Sequence, residues 1–113
     1  MDMVPFGRTG LQVSVAGLGC GGNSRLGLGQ GKTEADAVRL IRAAHDLGVN
    51  FLDTAQAYGT EGAVGAAVAE IGRDKVVIST KSLIRKGGAL ITAGDLRANL
   101  DASLGLLGTD FVD

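Results

Sequence analysis

The sequence has little of what marks several classes of protein. Its 113 residues include one cysteine, Cys20, so no disulfide can form within the chain, which is typical of a protein from a reducing compartment. The 11 basic and 12 acidic residues are dispersed, and no basic cluster favours nucleic acid or an anionic membrane. No run approaches the roughly 18 apolar residues of a membrane span, and the first residues lack a secretory signal pattern. We therefore expect a cytoplasmic protein that binds neither nucleic acid nor membrane.

Aromatic residues are also scarce, at 4% of the chain, whereas glycine is very common, with 19 residues. The glycines lie between segments of regular hydrophobic periodicity, so they punctuate a repeating architecture and do not form a flexible linker. Strands are predicted over residues 4–6, 11–13, 15–18, 49–52, 76–80 and 111–113. The first two form a hairpin, with Gly7 and Gly10 at the ends of its turn.

Three amphipathic helices are predicted between these strands. They begin at Thr33, at Thr60 or Glu61, and at Thr92. Thr33 and Thr92 are each followed three residues later by an aspartate, which indicates a capping box. Strands that alternate with helices predict an α/β fold with a parallel sheet. This pattern does not decide between an open doubly wound sheet and a closed barrel.

Three polar side chains are predicted to meet at one edge of the sheet. Asp53 ends one strand, Tyr58 follows in the next loop, and Lys81 ends the neighbouring strand. The carboxyl ends of parallel barrel strands share a face, where active sites are built. A free phenol has a pKa near 10, and an adjacent ammonium favours its phenolate. Such a tyrosine can give a proton to a carbonyl oxygen as hydride reaches the carbon.

The segment that carries this constellation is GVNFLDTAQAYGTEGAVG, residues 48–65. It resembles the signature of the aldo-keto reductases, in GVNFLDTA followed by EGAVG. In that family an aspartate, a tyrosine, a lysine and a histidine form the catalytic tetrad, and the matching positions here are Asp53, Tyr58 and Lys81. The resemblance extends over essentially the whole chain, including the hairpin and the GLGCGG turn. The departures, none of them in the tetrad, are at Val49, Asn50 and Gln56.

The resemblance implies a (β/α)8 TIM barrel and an NADPH-dependent oxidoreductase. The enzyme would reduce aldehydes or ketones to alcohols, with Tyr58 as general acid and no metal. The cofactor, NADP(H), would lie near Gly19, Cys20, Gly21 and Asp53. The groups that grip its 2′-phosphate come from the C-terminal half of the family's barrel, so the preference for NADPH is inherited from the resemblance.

The length implies only part of such a barrel, because a closed one takes about 250 residues. We expect residues 1–113 to be the truncated N-terminal part of a single barrel domain, with the hairpin and about three and a half βα units. The tetrad histidine would follow Asp113. We expect residues 1–113 alone to bind cofactor poorly and not to turn over.

Other interpretations remain open at this point. Alone, Asp53 could cap a turn, Lys81 could be a solvated strand-end lysine, Tyr58 could be a packing residue, and Cys20 is typical of a small buried hydrophobe. The chain could belong to a non-catalytic nucleotide-binding or regulatory subunit, or be an inactive fragment. It could also be a short open-sheet binding domain.

Two segments approximate nucleotide-binding motifs, but neither meets all the requirements of its motif. Residues 17–22 fit G-x-G-x-x-G, but a dinucleotide-binding turn needs its helix to begin at the third glycine. Residues 31–33, Gly-Lys-Thr, resemble the end of a P-loop, but Leu26 stands where its first glycine is required.

Overall fold

The chain opens with an antiparallel hairpin. In the computed structural model, which describes all 113 residues, β1 spans Met3–Pro5 and β2 spans Gln12–Ser14. Val4 lies opposite Val13. Gly7 and Gly10 have φ values of 60° and 83°, a conformation that side chains other than glycine rarely adopt, which confirms their predicted place in the turn.

A three-stranded parallel sheet follows, in the order β3-β4-β5. The strands are β3 (Leu18–Gly19), β4 (Phe51–Asp53) and β5 (Val77–Ser79). Each is shorter than the apolar run that predicted it. Gly19 pairs with Asp53, and Asp53 pairs with Ser79, so the last residues of the three strands lie side by side. This register brings their polar continuations to one edge.

Three helices connect and cover the strands: α1 (Glu34–Asp46), α2 (Glu61–Ile71) and α3 (Ala93–Leu107). Thr33 and Thr92 form the predicted capping boxes at the starts of α1 and α3. An exposed hairpin, β6 (Arg85–Lys86) with β7 (Ala89–Leu90), lies between β5 and α3. None of the helices is both long and apolar enough to cross a bilayer. The predicted α/β class is confirmed.

The core lies between the sheet and the helices. Its largest fully buried apolar side chains are Ile41, Leu52, Val64, Ile78 and Leu107. Helix α2 contributes more buried side chains to this core than α1 or α3, because it lies between them. On α3, Leu96 and Leu100 stay 48% and 43% exposed and border an open groove of about 370 Å³.

The predicted fourth strand over residues 111–113 is wrong in one respect. The segment lies beside β5, where the Asp113 N–H donates to the Ile78 carbonyl at 3.1 Å, but no ladder forms. The carboxylate of Asp113 accepts the hydrogen bond of the Ile78 N–H at 2.9 Å. The Asp113 side chain thus accepts the Ile78 hydrogen bond that a backbone carbonyl would accept if a fourth strand continued the ladder.

Candidate active site

An aspartate at the end of β4 holds two neighbouring polar groups. Asp53 lies between Gly19 and Ser79 in the sheet. Its Oδ1 accepts hydrogen bonds from Lys81 Nζ at 2.7 Å and from Ser79 Oγ at 2.9 Å. Lys81 Nζ also donates to the Thr54 carbonyl at 2.7 Å. The ammonium is therefore fixed at the carboxyl edge of the sheet.

The phenol of Tyr58 lies beside this ammonium. Tyr58 ends a short 3₁₀ helix, Gln56–Tyr58, in the loop after β4. Its ring is half-buried, and its centroid lies 5.2 Å from Lys81 Nζ. The structure thus brings together Asp53, Lys81 and Tyr58, the three side chains singled out from the sequence.

The electrostatics keep Lys81 charged. Partial burial acts to lower the pKa of Lys81, but the hydrogen bond to Asp53 and the charge of that carboxylate act against it, with smaller contributions from Tyr58. The net result is a pKa raised above the ordinary 10.5. At neutral pH the site therefore presents a cation next to a phenol.

Backbone hydrogen bonds tie the loop that carries Tyr58 to the segment that carries Lys81. The Thr54 N–H donates to the Ser79 carbonyl at 2.8 Å, and the Gln56 N–H donates to the Lys81 carbonyl at 2.9 Å. The side-chain oxygen of Gln56 accepts from the Leu83 N–H at 3.0 Å. Sequence reasoning missed Ser79 and the bridging role of Gln56, because both depend on which segments the fold places side by side.

Two side-chain hydrogen bonds, one buried and one partly buried, fix the start of α2 under the site. Thr54 and Thr60 join their hydroxyls at 2.9 Å. Thr80 donates from Oγ1 to the carboxylate of Glu61, a residue that is only 2% exposed. The negative charge of Glu61 suits the first turn of a helix, where backbone N–H groups are unpaired. Thr60 does precede α2, but its hydroxyl bonds to Thr54 and not to the helix backbone.

The glycine-rich turn after β3 lies next to Asp53. The Cys20 N–H donates to the Asp53 carbonyl at 2.8 Å, and the Cys20 side chain is fully buried. Burial, reinforced by the charge of Asp53 and opposed by Lys81, raises the pKa of this thiol to about 12. The interpretation of Cys20 as a buried hydrophobe is confirmed, and because the whole residue is buried, Cys20 presents no surface to a ligand. Gly19 is exposed, with open space where a Cβ would lie.

The rejected nucleotide motifs do not form. After Gly22 the chain enters an interrupted 3₁₀ segment, Arg25–Gln30, and α1 begins only at Glu34. The only histidine of the chain, His45, lies near the end of α1, with Nδ1 3.1 Å from the Val49 carbonyl oxygen. It therefore contacts the chain just before β4 begins, at the opposite end of that strand from Asp53.

Comparisons with known proteins find relatives of this chain. A family model described as "Aldo/keto reductase family" matches residues 17–113. The 6-dehydroglucose reductase of Novosphingobium aromaticivorans is 39% identical over 95 residues, which cover 74% of this chain and 31% of that protein. The L-galactose dehydrogenase of Arabidopsis thaliana is 35% identical, over 100% of this chain and 36% of that protein. The chain thus spans about a third of the length of these curated relatives.

A solved structure gives the same result in three dimensions. The holo form of an aldo-keto reductase from Bacillus halodurans superposes with a TM-score of 0.81 at 30% sequence identity. The match covers 100% of this chain and 38% of that one. The arrangement of hairpin, parallel strands and helices is therefore shared with a longer protein.

Proposed function

Because the chain belongs to the aldo/keto reductase family, we propose that the full-length protein is an NADP(H)-dependent oxidoreductase that reduces aldehydes or ketones to alcohols. The observation that supports this function best is the cluster at the strand ends. Lys81 Nζ lies 2.7 Å from an Asp53 oxygen and 5.2 Å from the Tyr58 ring centroid. Its substrate is a small carbonyl or alcohol compound.

In this proposal Tyr58 is the general acid. Its hydroxyl donates a proton to the substrate carbonyl oxygen, and the resulting phenolate is stabilised by the Lys81 ammonium. Asp53 keeps that ammonium protonated and aimed, since its carboxylate accepts a hydrogen bond from Nζ. Ser79 donates to the same oxygen and holds the carboxylate in place.

The residues at the strand ends fit one end of a nicotinamide cofactor. Gly19 offers exposed backbone with nothing within 4 Å of the space that a Cβ would fill, and Asp53 lies beside it in the sheet. Gly19 and Asp53 would hold the cofactor, beside the turn formed by Cys20 and Gly21. When bound, the cofactor supplies hydride to the substrate carbonyl carbon.

We propose that residues 1–113 are the N-terminal part of a single (β/α)8 barrel domain. Parallel strands adjacent in both sequence and space, each joined to the next through a helix, support a barrel built in chain order. The cytoplasmic location stays a prediction.

The test uses the full-length protein that the gene encodes, because the relatives are about three times longer than this chain. Purified protein is mixed with NADPH and a panel of aldehydes and ketones, and the loss of reduced-nicotinamide absorbance is followed. Wild-type protein turns over, and Tyr58→Phe lowers kcat by about 10²- to 10⁴-fold, the contribution of general acid catalysis. Cofactor affinity stays unchanged, because only the phenolic hydroxyl is removed and the ring stays.

Two further arms make the test decisive. Residues 1–113 assayed alone are expected not to turn over, so a normal rate from this chain would contradict the proposed barrel fragment. Full-length protein that binds NADPH tightly but reduces none of the carbonyl compounds would favour the regulatory or non-catalytic alternative. Equal kcat for wild type and Tyr58→Phe would remove Tyr58 from the chemistry.

A further inference from the structure

Gly21 has no room for a side chain, although its backbone is ordinary. Its φ lies outside the left-handed region, so the conformation of the backbone does not demand glycine. A Cβ at this position would lie 2.7 Å from Cε2 and 2.8 Å from Cζ of the Tyr58 ring. Real Cβ atoms essentially never approach another atom so closely. The ring therefore rests directly against the backbone of the turn after β3.

We propose that Gly21 is a positioning residue for Tyr58, which deepens the proposed function and rests on it. The absence of a side chain at Gly21 lets the ring edge lie against the turn, with Cζ, the atom that bears the hydroxyl, among the closest contacts. The turn and the Lys81 ammonium thus border the same ring.

The backbone on each side of this contact is tied to neighbouring segments. Next to Gly21, Cys20 is anchored by its buried side chain and by the hydrogen bond from its N–H to the Asp53 carbonyl. The short helix that ends at Tyr58 is held to the Lys81 segment by the Gln56 N–H. A methyl group at position 21 must therefore move the ring, since the turn and the loop are both tied to the sheet.

The expected consequence falls on the chemical step. A misplacement of about 1 Å at a reacting group can cost about 10²-fold in rate. Gly21→Ala is therefore expected to lower kcat by about 10- to 100-fold. If Gly21 instead served the cofactor by close backbone approach, the same substitution would raise the cofactor Kd and leave kcat nearly intact.

The experiment is a double-mutant cycle in the full-length protein. It compares Gly21→Ala, Tyr58→Phe and the double variant, with Gly105→Ala as matched control. Gly105 lies on α3 with nothing within 4 Å of an added Cβ, so its alanine variant is expected to behave as wild type. Gly21→Ala lowers kcat with unchanged cofactor Kd, and it causes no further loss when Tyr58 is already phenylalanine. A similar loss in both backgrounds, or a raised Kd with normal kcat, overturns the proposal.

A crystal structure of full-length Gly21→Ala separates this proposal from the proposed function. A Tyr58 ring displaced from its wild-type position relative to Lys81 supports the positioning role, even where the wild-type protein reduces no carbonyl compound and the proposed function itself fails. A ring that keeps its wild-type position beside the new methyl group overturns the positioning role, whatever the activity.

Discussion

Each end of the three-stranded sheet carries one ion pair. The two pairs have the same N–O distance but differ in exposure and in the groups around them. At the carboxyl ends, Lys81 Nζ lies 2.7 Å from Asp53. At the opposite end, Arg73 Nη2 lies 2.7 Å from Asp113. The first pair keeps 49% and 37% of its side-chain surfaces exposed, whereas the second keeps only 19% and 13%.

The guanidinium of Arg73 makes several structural contacts besides the ion pair. It donates to the carbonyls of Val76 and Phe111 and to the Thr109 hydroxyl, and it lies 3.9 Å from the centroid of the Phe111 ring. It therefore joins the start of β5 to the last residues of the chain. Lys81 has fewer partners, and one of its neighbours is a phenol. The two pairs have equal N–O distances but different surroundings. The Arg73–Asp113 pair stabilises the fold, and in our proposal the Lys81–Asp53 pair orients the Tyr58 phenol for catalysis.

The largest effect that would sharpen this comparison is expected from Lys81→Met. Methionine keeps much of the apolar stem but removes the cation that, in the proposed function, stabilises the Tyr58 phenolate. We expect kcat of the full-length protein to fall by about 10²- to 10³-fold. The free energy of unfolding should change by less than about 1 kcal/mol, because half-exposed ion pairs contribute little. Steady-state kinetics and urea unfolding of the same preparation give both numbers.

Lys75→Met is the matched control for this substitution. Lys75 is exposed and lies before β5, at the opposite end of the sheet from Tyr58. Its variant is expected to keep wild-type kcat. A Lys81→Met variant with normal kcat and lowered stability would mean that the Lys81–Asp53 pair, like the Arg73–Asp113 pair, serves only the fold. That result would contradict the contrast between the two ends of the sheet.

A smaller effect, on stability and not on kcat, is expected from Arg73→Met. The substitution leaves the largely buried carboxylate of Asp113 without its cation and removes hydrogen bonds to two carbonyls. We expect the free energy of unfolding to fall by about 2–4 kcal/mol, with kcat per folded molecule unchanged. Urea unfolding measures the loss, and Arg97→Met, an exposed arginine on α3, controls for the removal of charge. Normal stability combined with lost activity would contradict a structural role for the Arg73–Asp113 pair.

What could be predicted from the sequence was mostly local. The capping boxes at Thr33 and Thr92 were predicted correctly, because each depends on two residues three apart in one chain segment. The α/β class followed from periodicity. The proximity of Asp53, Lys81 and Tyr58 was predicted as well, because parallel strands place their carboxyl ends together.

What could not be predicted depends on contacts between distant segments. The threonine that precedes α2, Thr60, bonds to Thr54 instead of capping the helix. The contact of Gly21 with Tyr58 leaves no mark in the sequence, since a glycine in a glycine-rich turn already has a conformational explanation. The apolar face of α3 was predicted from periodicity, but the exposure of Leu100 on it depends on which elements pack nearby.

The smallest expected effect is the pH dependence that separates the two ion pairs. The pKa of Lys81 is raised in the folded protein, so the Lys81–Asp53 pair stabilises the fold fully below the ordinary lysine value of 10.5, and this stabilisation is lost as the pH rises above it. Exposure and salt screening keep its size under about 1 kcal/mol. An arginine guanidinium stays charged in the same range, so the advantage of wild type over Arg73→Met should persist in alkali. Urea unfolding of wild type, Lys81→Met and Arg73→Met from neutral to alkaline pH tests this. A wild-type advantage over Lys81→Met that grows with pH would have the wrong sign for a lysine held by a carboxylate.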